Sequence, residues 1–398
     1  MNIKKQLVKL YLYEIFISLR ITDAVWVIFL LSRGFSLAQV GIAEGVFHIT
    51  GFLCEIPTGM AADLLGRKYT LAFSGVCGAI SAVLMACSFG FVGVCLSMVF
   101  NALMYNLMSG TLEAVAYDSL VSVNKSEAYL RVSAWMGGLS RTIAALGCLA
   151  GGVAALLGYF KAYMVSAVIS AAVVVLALSL TEPLVTRAQQ QRAAHPFAGL
   201  GQRLWKHIYD SFSFLAHNPR TACKILADAA VATPIYLTFM LLQQHLTANG
   251  LPALYLGAAL LLIRMAGTGG VAIGARCKKR YFSIAVFCII GAGFGTVLAG
   301  VRFWPLAVLG AVLAQLAEGL MQLRTEVSLN NDFPSDQRAT LISVDSMVYS
   351  MLMIAASPVA GAVGDAFGTS AALYLLGGFL LLVGVLGAFV YKKIFVKS

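Results

Sequence analysis

Twelve predominantly apolar runs, each long enough to cross a bilayer as a helix, follow one another along this chain. They fall at about 9–33, 37–61, 69–89, 91–120, 132–158 and 162–181, then at about 221–247, 252–274, 281–300, 304–329, 339–363 and 371–391. A helix needs about 20 apolar residues to span the hydrocarbon core. Lipid offers the backbone no hydrogen-bonding partners, so each run must satisfy its own N–H and C=O groups as a helix. With 60% apolar residues, 11% charged residues and a mean hydropathy of +0.86, an ordinary soluble protein is excluded. The expectation is an all-α membrane protein of twelve transmembrane helices in two pseudo-symmetric six-helix bundles.

Charge gives the runs a direction. Of the 28 Lys and Arg residues, 22 fall on the side that holds both termini. Arg33, Lys161 and Arg302 fall on the other side, and Arg20, Arg141 and Arg264 lie deep in the runs. Basic residues collect on the cytoplasmic side, so both termini are expected there, in a multi-pass protein of the cytoplasmic (inner) membrane. In a polar chain the net charge of +11 would point to nucleic acid; here it marks basic loops, and no nucleic-acid partner is expected. The opening Met1-Asn2-Ile3-Lys4-Lys5 lacks a short apolar core with a cleavage site, so no removable signal peptide is expected. The eight cysteines show no metal-ligand spacing and read as packing residues, and no metal or cofactor is expected.

The longest polar stretch, 182–220, divides residues 1–181 from 221–398, six runs from six. Within it Leu200, Leu204, Trp205, Ile208, Phe212 and Leu215 recur at helical spacing, as in an interfacial helix joining two halves. The halves echo each other faintly. Gly151 and Gly158 recur as Gly361 and Gly368, and Gly270, Gly274 and Arg276 form a decayed counterpart of the basic turn after the second run.

That turn reads Gly59-Met60-Ala61-Ala62-Asp63-Leu64-Leu65-Gly66-Arg67-Lys68. Glu55-Ile56-Pro57-Thr58 precedes it. The fourth run ends Ser109-Gly110-Thr111-Leu112-Glu113 and continues to Tyr117-Asp118-Ser119. Pro334-Ser335-Asp336-Gln337-Arg338 leads into the eleventh run. Together these motifs resemble the major facilitator superfamily of transporters, in a bacterial branch of permeases with unassigned substrates. The resemblance covers the whole chain and implies the major facilitator fold, with a substrate site between the halves near the midplane. It also implies that Asp63, aided by a base such as Arg131, meets the start of the eleventh helix near Ala339–Ile342 as a cytoplasmic latch. Gly59 would permit close helix approach. Gly66, Arg67 and Lys68 complete the signature. The alternative is a turn whose charges only set orientation. Leu64 and Tyr69 stand where the family form carries bases, and the fifth run lacks the Gly-Pro of drug antiporters.

Ionisable residues inside a membrane are costly and mark functional sites. Arg20 and Asp23, three apart, are expected to share a helix face, as a structural pair or as part of the substrate site. Glu44 and His48, four apart, suit a proton relay or packing. Arg264 and Glu318 are expected at mid-depth, with Gln315 and Gln322 flanking Glu318 at helical spacing. Either Arg264 holds an anionic group while Glu318 and Asp23 carry the coupling proton, or Arg264 and Glu318 form a salt bridge. Glu55, Glu113, Asp118 and Arg141 read as a structural or gating cluster. Tyr105, Asn106, Tyr236, Gln243, Ser346 and Tyr349 are polar candidates for the substrate wall.

No phosphate-cradling loop or catalytic triad is present, so neither an ATP-driven pump nor an enzyme is expected. The expected partners are a small-molecule substrate, protons and lipids, in a monomer. The leading reading is secondary active transport of a small amphipathic, anionic-leaning solute by alternating access, as proton-coupled efflux. Proton-coupled uptake, passive facilitation and a non-transporting sensor on the same fold are the alternatives.

Overall fold

A computed structural model describes residues 2–182, 205, 209–210, 213–277, 281–332 and 338–395; the side chains at 56, 60–61, 63–65, 154–156, 330–332, 338–343 and 390–395 are outside the description. The first helices are α1 Ile3–Ser18, α2 Trp26–Ser32, α3 Leu37–Leu65, α4 Arg67–Cys87, α5 Phe91–Met108, α6 Thr111–Val121, α7 Tyr129–Leu157 and α8 Tyr159–Ser179. Then come α9 Pro219–Ala248, α10 Ala253–Arg276, α11 Tyr281–Ala299, α12 Trp304–Asp332, α13 Arg338–Phe367 and α14 Thr369–Phe395. Among the described residues, eleven helical stretches are long and apolar enough to cross a membrane, with α5 and α6 counted as one.

The first apolar run is where expectation and structure part. It is a broken helix: α1 begins six residues early, at Ile3, and stops at Ser18, and α2 resumes only at Trp26. Arg20 donates its backbone N–H to the Ser18 carbonyl at 2.9 Å, which tightens the chain out of the helical path. Ser18 Oγ is drawn to Glu14 at 3.0 Å and to Ser140 at 2.9 Å. Arg20 Nε also donates to the Ile17 carbonyl at 3.4 Å, a local side-chain-to-backbone bond of the kind that competes with the helical ladder. Arg20 and Asp23 therefore sit in a non-helical turn, not on one helix face. The fourth run also breaks, at Gly110, whose φ of +70° interrupts the helix between α5 and α6.

The chain packs as two compact units: residues 1–23 with 46–208, and 24–45 with 209–398. The first has a core of Leu10, Tyr13, Leu71, Cys77, Leu112, Val115 and Val173, all under 2% exposed. Tyr13 Oη meets Ser74 Oγ at 2.8 Å, satisfying the one polar atom the ring carries into that core. Gly75 lets α4 lie close on α8: a Cβ there would stand 3.0 Å from the Ser170 carbonyl. Gln6 brackets Thr181, donating to its carbonyl and accepting from its N–H, each at 3.0 Å.

The second unit has a core of Ile235, Cys288, Ile289, Ala292, Ala314, Met321 and Leu380. Small residues again set helix spacing. A Cβ on Gly270 would overlap the Leu316 carbonyl, and one on Gly319 the Gly267 carbonyl, so α10 lies backbone-close against α12. Gly270 and Gly274, read in the sequence as a loop echo, thus work inside α10 as packing residues. Of the expected interfacial helix, Leu200, Leu204, Ile208 and Phe212 lie outside the described residues. Trp205 is 70% exposed, and Leu215 packs against the buried cluster of Ile225, Ala229, Leu329, Val344 and Val348.

Candidate substrate cavity

Helices α9, α10, α12 and α13 line an open cavity of about 340 Å³ in the second unit. Helical spacing explains its lining. Asp228, Ala232, Ile235, Tyr236 and Phe239 share one face of α9, Gln315, Glu318 and Gln322 one face of α12, and Asp345, Ser346 and Tyr349 one face of α13. Arg264 enters from α10. The close seating of α10 on α12 at Gly267, where a Cβ would stand 3.2 Å from Gln315 Cγ, brings Arg264 and Glu318 into one chamber.

Three of the cavity's four charged groups have a neighbour that orients them. The Arg264 guanidinium stacks over Phe239, 4.0 Å from the ring centroid, which leaves its edge donors available to a planar acceptor. Gln315 Nε2 donates to Glu318 Oε2 at 2.8 Å. Asp228 is hydrogen-bonded to Thr325, whose Oγ1 also meets Tyr281 Oη at 3.1 Å. Tyr349 lies within electrostatic reach of Glu44, Glu318 and Arg264. Glu44 is 3% exposed and His48 7%, so both are buried on α3.

The cavity unites Arg264, Glu318, Gln315, Tyr236 and Tyr349, all expected from sequence. It adds Asp228, Asp345 and Phe239. A signal existed for two of these: Asp228 precedes Tyr236 by two turns on one face, and Asp345 precedes Tyr349 by one. Gln243 has another task. It is 1% exposed, and its Oε1 accepts the Val27 N–H at 3.2 Å at the start of α2.

In the first unit the Arg20 guanidinium stacks 3.7 Å over Tyr105, whose ring meets Phe47 edge-on. Asn106 Nδ2 donates to the Gly51 carbonyl at 2.6 Å, tying α5 to α3. Glu113 stands in the first turn of α6, where the helix dipole favours a carboxylate, and Glu14 is within its electrostatic reach. Arg131 and Arg141 are exposed on α7, and Glu55 lies half-buried on α3.

The basic turn is tightly tied. Gly66 takes φ +87° between α3 and α4. Glu182 then caps α4: its two carboxylate oxygens accept the N–H groups of Arg67 and Lys68, each at 2.8 Å. The Arg67 side chain pairs with Asp118 and donates to the Ala114 carbonyl at 2.8 Å. The Lys68 ammonium stands 5.8 Å from the Tyr69 ring. The Asp63 side chain and residues 339–342, the expected halves of the latch, lie outside the described side chains. Among the described residues nothing stands within 4 Å of a Cβ on Gly59, so the expected close approach is absent there; on α3 it falls at Gly41 instead.

No family model matches the chain. It is 22% identical to the uncharacterized MFS-type transporter YxaM of Bacillus subtilis (strain 168) over 387 residues, covering 94% of this chain and 93% of YxaM. It is 23% identical to the inner membrane transport protein YajR of Escherichia coli (strain K12) over 326 residues, covering 79% of this chain and 66% of YajR. Its structure matches the nucleoside transporter NupG with a TM-score of 0.78 at 17% identity, over 98% of this chain and 100% of NupG. It matches a POT peptide transporter in complex with sulfate at 0.72 and 15%, over 98% and 95%. The chain has the major facilitator fold. Within this fold the signature turn holds itself together through Glu182, Arg67 and Asp118, all of the first unit.

Proposed function

We propose that this major facilitator protein is a proton-coupled exporter of a small amphipathic solute that is cationic or neutral when bound. The observation that carries this reading is the charge of the cavity. Asp228, Glu318 and Asp345 face one guanidinium, Arg264, in a space that holds only a small molecule. Ionised carboxylates in such a site need positive charge, from protons or from the solute. Protons and a cationic group then compete for the same oxygens, which is the logic of exchange. Tyr236, Phe239 and Tyr349 offer aromatic faces, and Gln315 and Gln322 offer amide donors and acceptors.

Arg264 supports a second reading. Its stacked fork suits a carboxylate or phosphate, and an anion entering this cavity would bring protons with it. That would be proton-coupled symport, the uptake direction. The basic bias of 22 residues against three supports an orientation with both termini cytoplasmic. Residues 1–181 and 221–398 serve as the two mobile halves in this reading, and Asp63 as the cytoplasmic latch.

The test is flux in liposomes that hold the purified protein and an internal pH dye. Lipophilic organic cations, neutral nucleosides and aromatic carboxylates are added in turn under an imposed pH gradient. Export by exchange predicts that a cation or neutral solute releases protons against its own movement. Proton movement with a carboxylate, in the same direction, selects the second reading. Solute movement that no pH gradient can drive uphill refutes coupling.

A further inference from the structure

Asp365, on the last turn of α13, reaches the first turn of α3. Its Oδ1 accepts the Leu37 N–H and its Oδ2 the Ala38 N–H, each at 2.8 Å. Two of the four orphan donors of that helix are thereby satisfied, and a carboxylate meets the positive end of its dipole. Beneath this cap the two helices touch backbone to backbone. A Cβ on Gly361 would overlap the Leu37 carbonyl, and one on Gly41 the Ser357 carbonyl. Ser357 Oγ donates to the Gly41 carbonyl at 2.9 Å.

The sequence around Asp365 repeats that of the signature turn. Gly361-Ala362-Val363-Gly364-Asp365-Ala366-Phe367-Gly368 matches Gly59-Met60-Ala61-Ala62-Asp63-Leu64-Leu65-Gly66 as Gly-x-x-x-Asp-x-x-Gly. Both stretches end a long helix at a glycine with φ +87°. The charge bias places the Asp63 copy at the cytoplasmic face and the Asp365 copy at the outer face.

We infer that Asp365 is an outer latch, which holds the start of α3 to the end of α13 and must release when the protein opens outward. The inference rests on the transporter reading for the purpose of that opening. A latch must be both specific and reversible. Specificity comes from the two backbone bonds and the glycine seat below them. Reversibility comes from exposure: Asp365 borders solvent, so water can replace both of its bonds.

The experiment uses the full chain in lipid nanodiscs, with its eight cysteines replaced and spin labels placed at Arg33 and Phe367. Pulsed electron resonance then reads the distance between the two helix ends without any substrate. One short distance should dominate in the parent. Asp365→Ala should raise the long-distance fraction about five- to tenfold, the scale of losing a helix cap. Asp365→Asn, which keeps one acceptor but no charge, should give a smaller rise. Both variants should stay monodisperse and melt within a few degrees of the parent. Unchanged distances in a folded Asp365→Ala protein would overturn the latch. So would a sharp fall in melting temperature with no long distance, which marks a static brace. Liposome flux of the parent is scored separately: a label shift without flux leaves the latch standing and removes the transporter reading.

Discussion

Glu182 and Arg67 are 115 residues apart, yet the Glu182 carboxylate accepts the Arg67 N–H at 2.8 Å and caps the helix that Arg67 opens. A residue three positions beyond α8 thus fixes the residue just beyond the signature glycine. Since α4 has no side-chain cap of its own at Gly66, the distant carboxylate supplies it.

Glu182→Gln keeps the shape but removes the charge and one of the two acceptors. The expected cost is about 1 kcal/mol, as for loss of an N-cap. Thermal unfolding in detergent should show a fall of a few degrees. No fall would mean that the turn is held by Arg67 and Asp118 alone.

Arg67 and Asp118 form a partly buried ion pair, with side chains 18% and 24% exposed. Each single change, Arg67→Met or Asp118→Asn, leaves the other charge with a poorer partner. A double-mutant cycle should give a coupling of about 1 kcal/mol, at the upper end of surface pairs because water is partly excluded. A coupling near zero would assign Arg67 only its bond to the Ala114 carbonyl.

The cavity carboxylates separate binding from coupling. Glu318→Gln preserves the hydrogen-bonding shape and its contact with Gln315 but cannot carry a proton. Solute should still equilibrate across liposomes while accumulation driven by a pH gradient falls at least tenfold. If accumulation persists, Asp345→Asn should abolish it and the proton site moves to α13.

Arg264 lies over Phe239, a contact in which a planar guanidinium can stack on the ring. Arg264→Lys keeps the charge and loses the plane and the fork. For a carboxylate-bearing solute, affinity measured by scintillation proximity should fall nearly as far as with Arg264→Ala. For a cationic solute, Arg264→Ala should leave affinity unchanged or raise it.

Two neighbouring glycines of α10 predict opposite results. Gly270 has no room for a Cβ, since the Leu316 carbonyl occupies it, whereas among the described residues nothing stands within 4 Å of a Cβ on Gly269. Gly270→Ala should destabilise by about 1–3 kcal/mol through overpacking. Gly269→Ala should be neutral or stabilising by up to about 1 kcal/mol. Thermal unfolding of the pair checks the seating of α10 on α12 that places Arg264.

Much of this protein was determined by its sequence alone. Apolar length demands helices in lipid, and eleven of the twelve runs are spanning stretches among the described residues, because local hydrophobicity needs no partner to act. The signature turn and the candidates Arg264 and Glu318 were legible for the same reason: a charge inside an apolar run is costly wherever the run packs. Only tertiary structure broke the first run at Ser18, since Ser140 and Tyr105, on two other helices, hold Ser18 and Arg20 there. Only it gave Gln243 and Asn106 to backbone groups, set Asp228 and Asp345 in the cavity of Arg264, and joined Glu182 to Arg67 and Asp365 to Leu37. These are long-range choices of partner. A polar side chain announces that it needs a partner, and helix packing decides which one it meets.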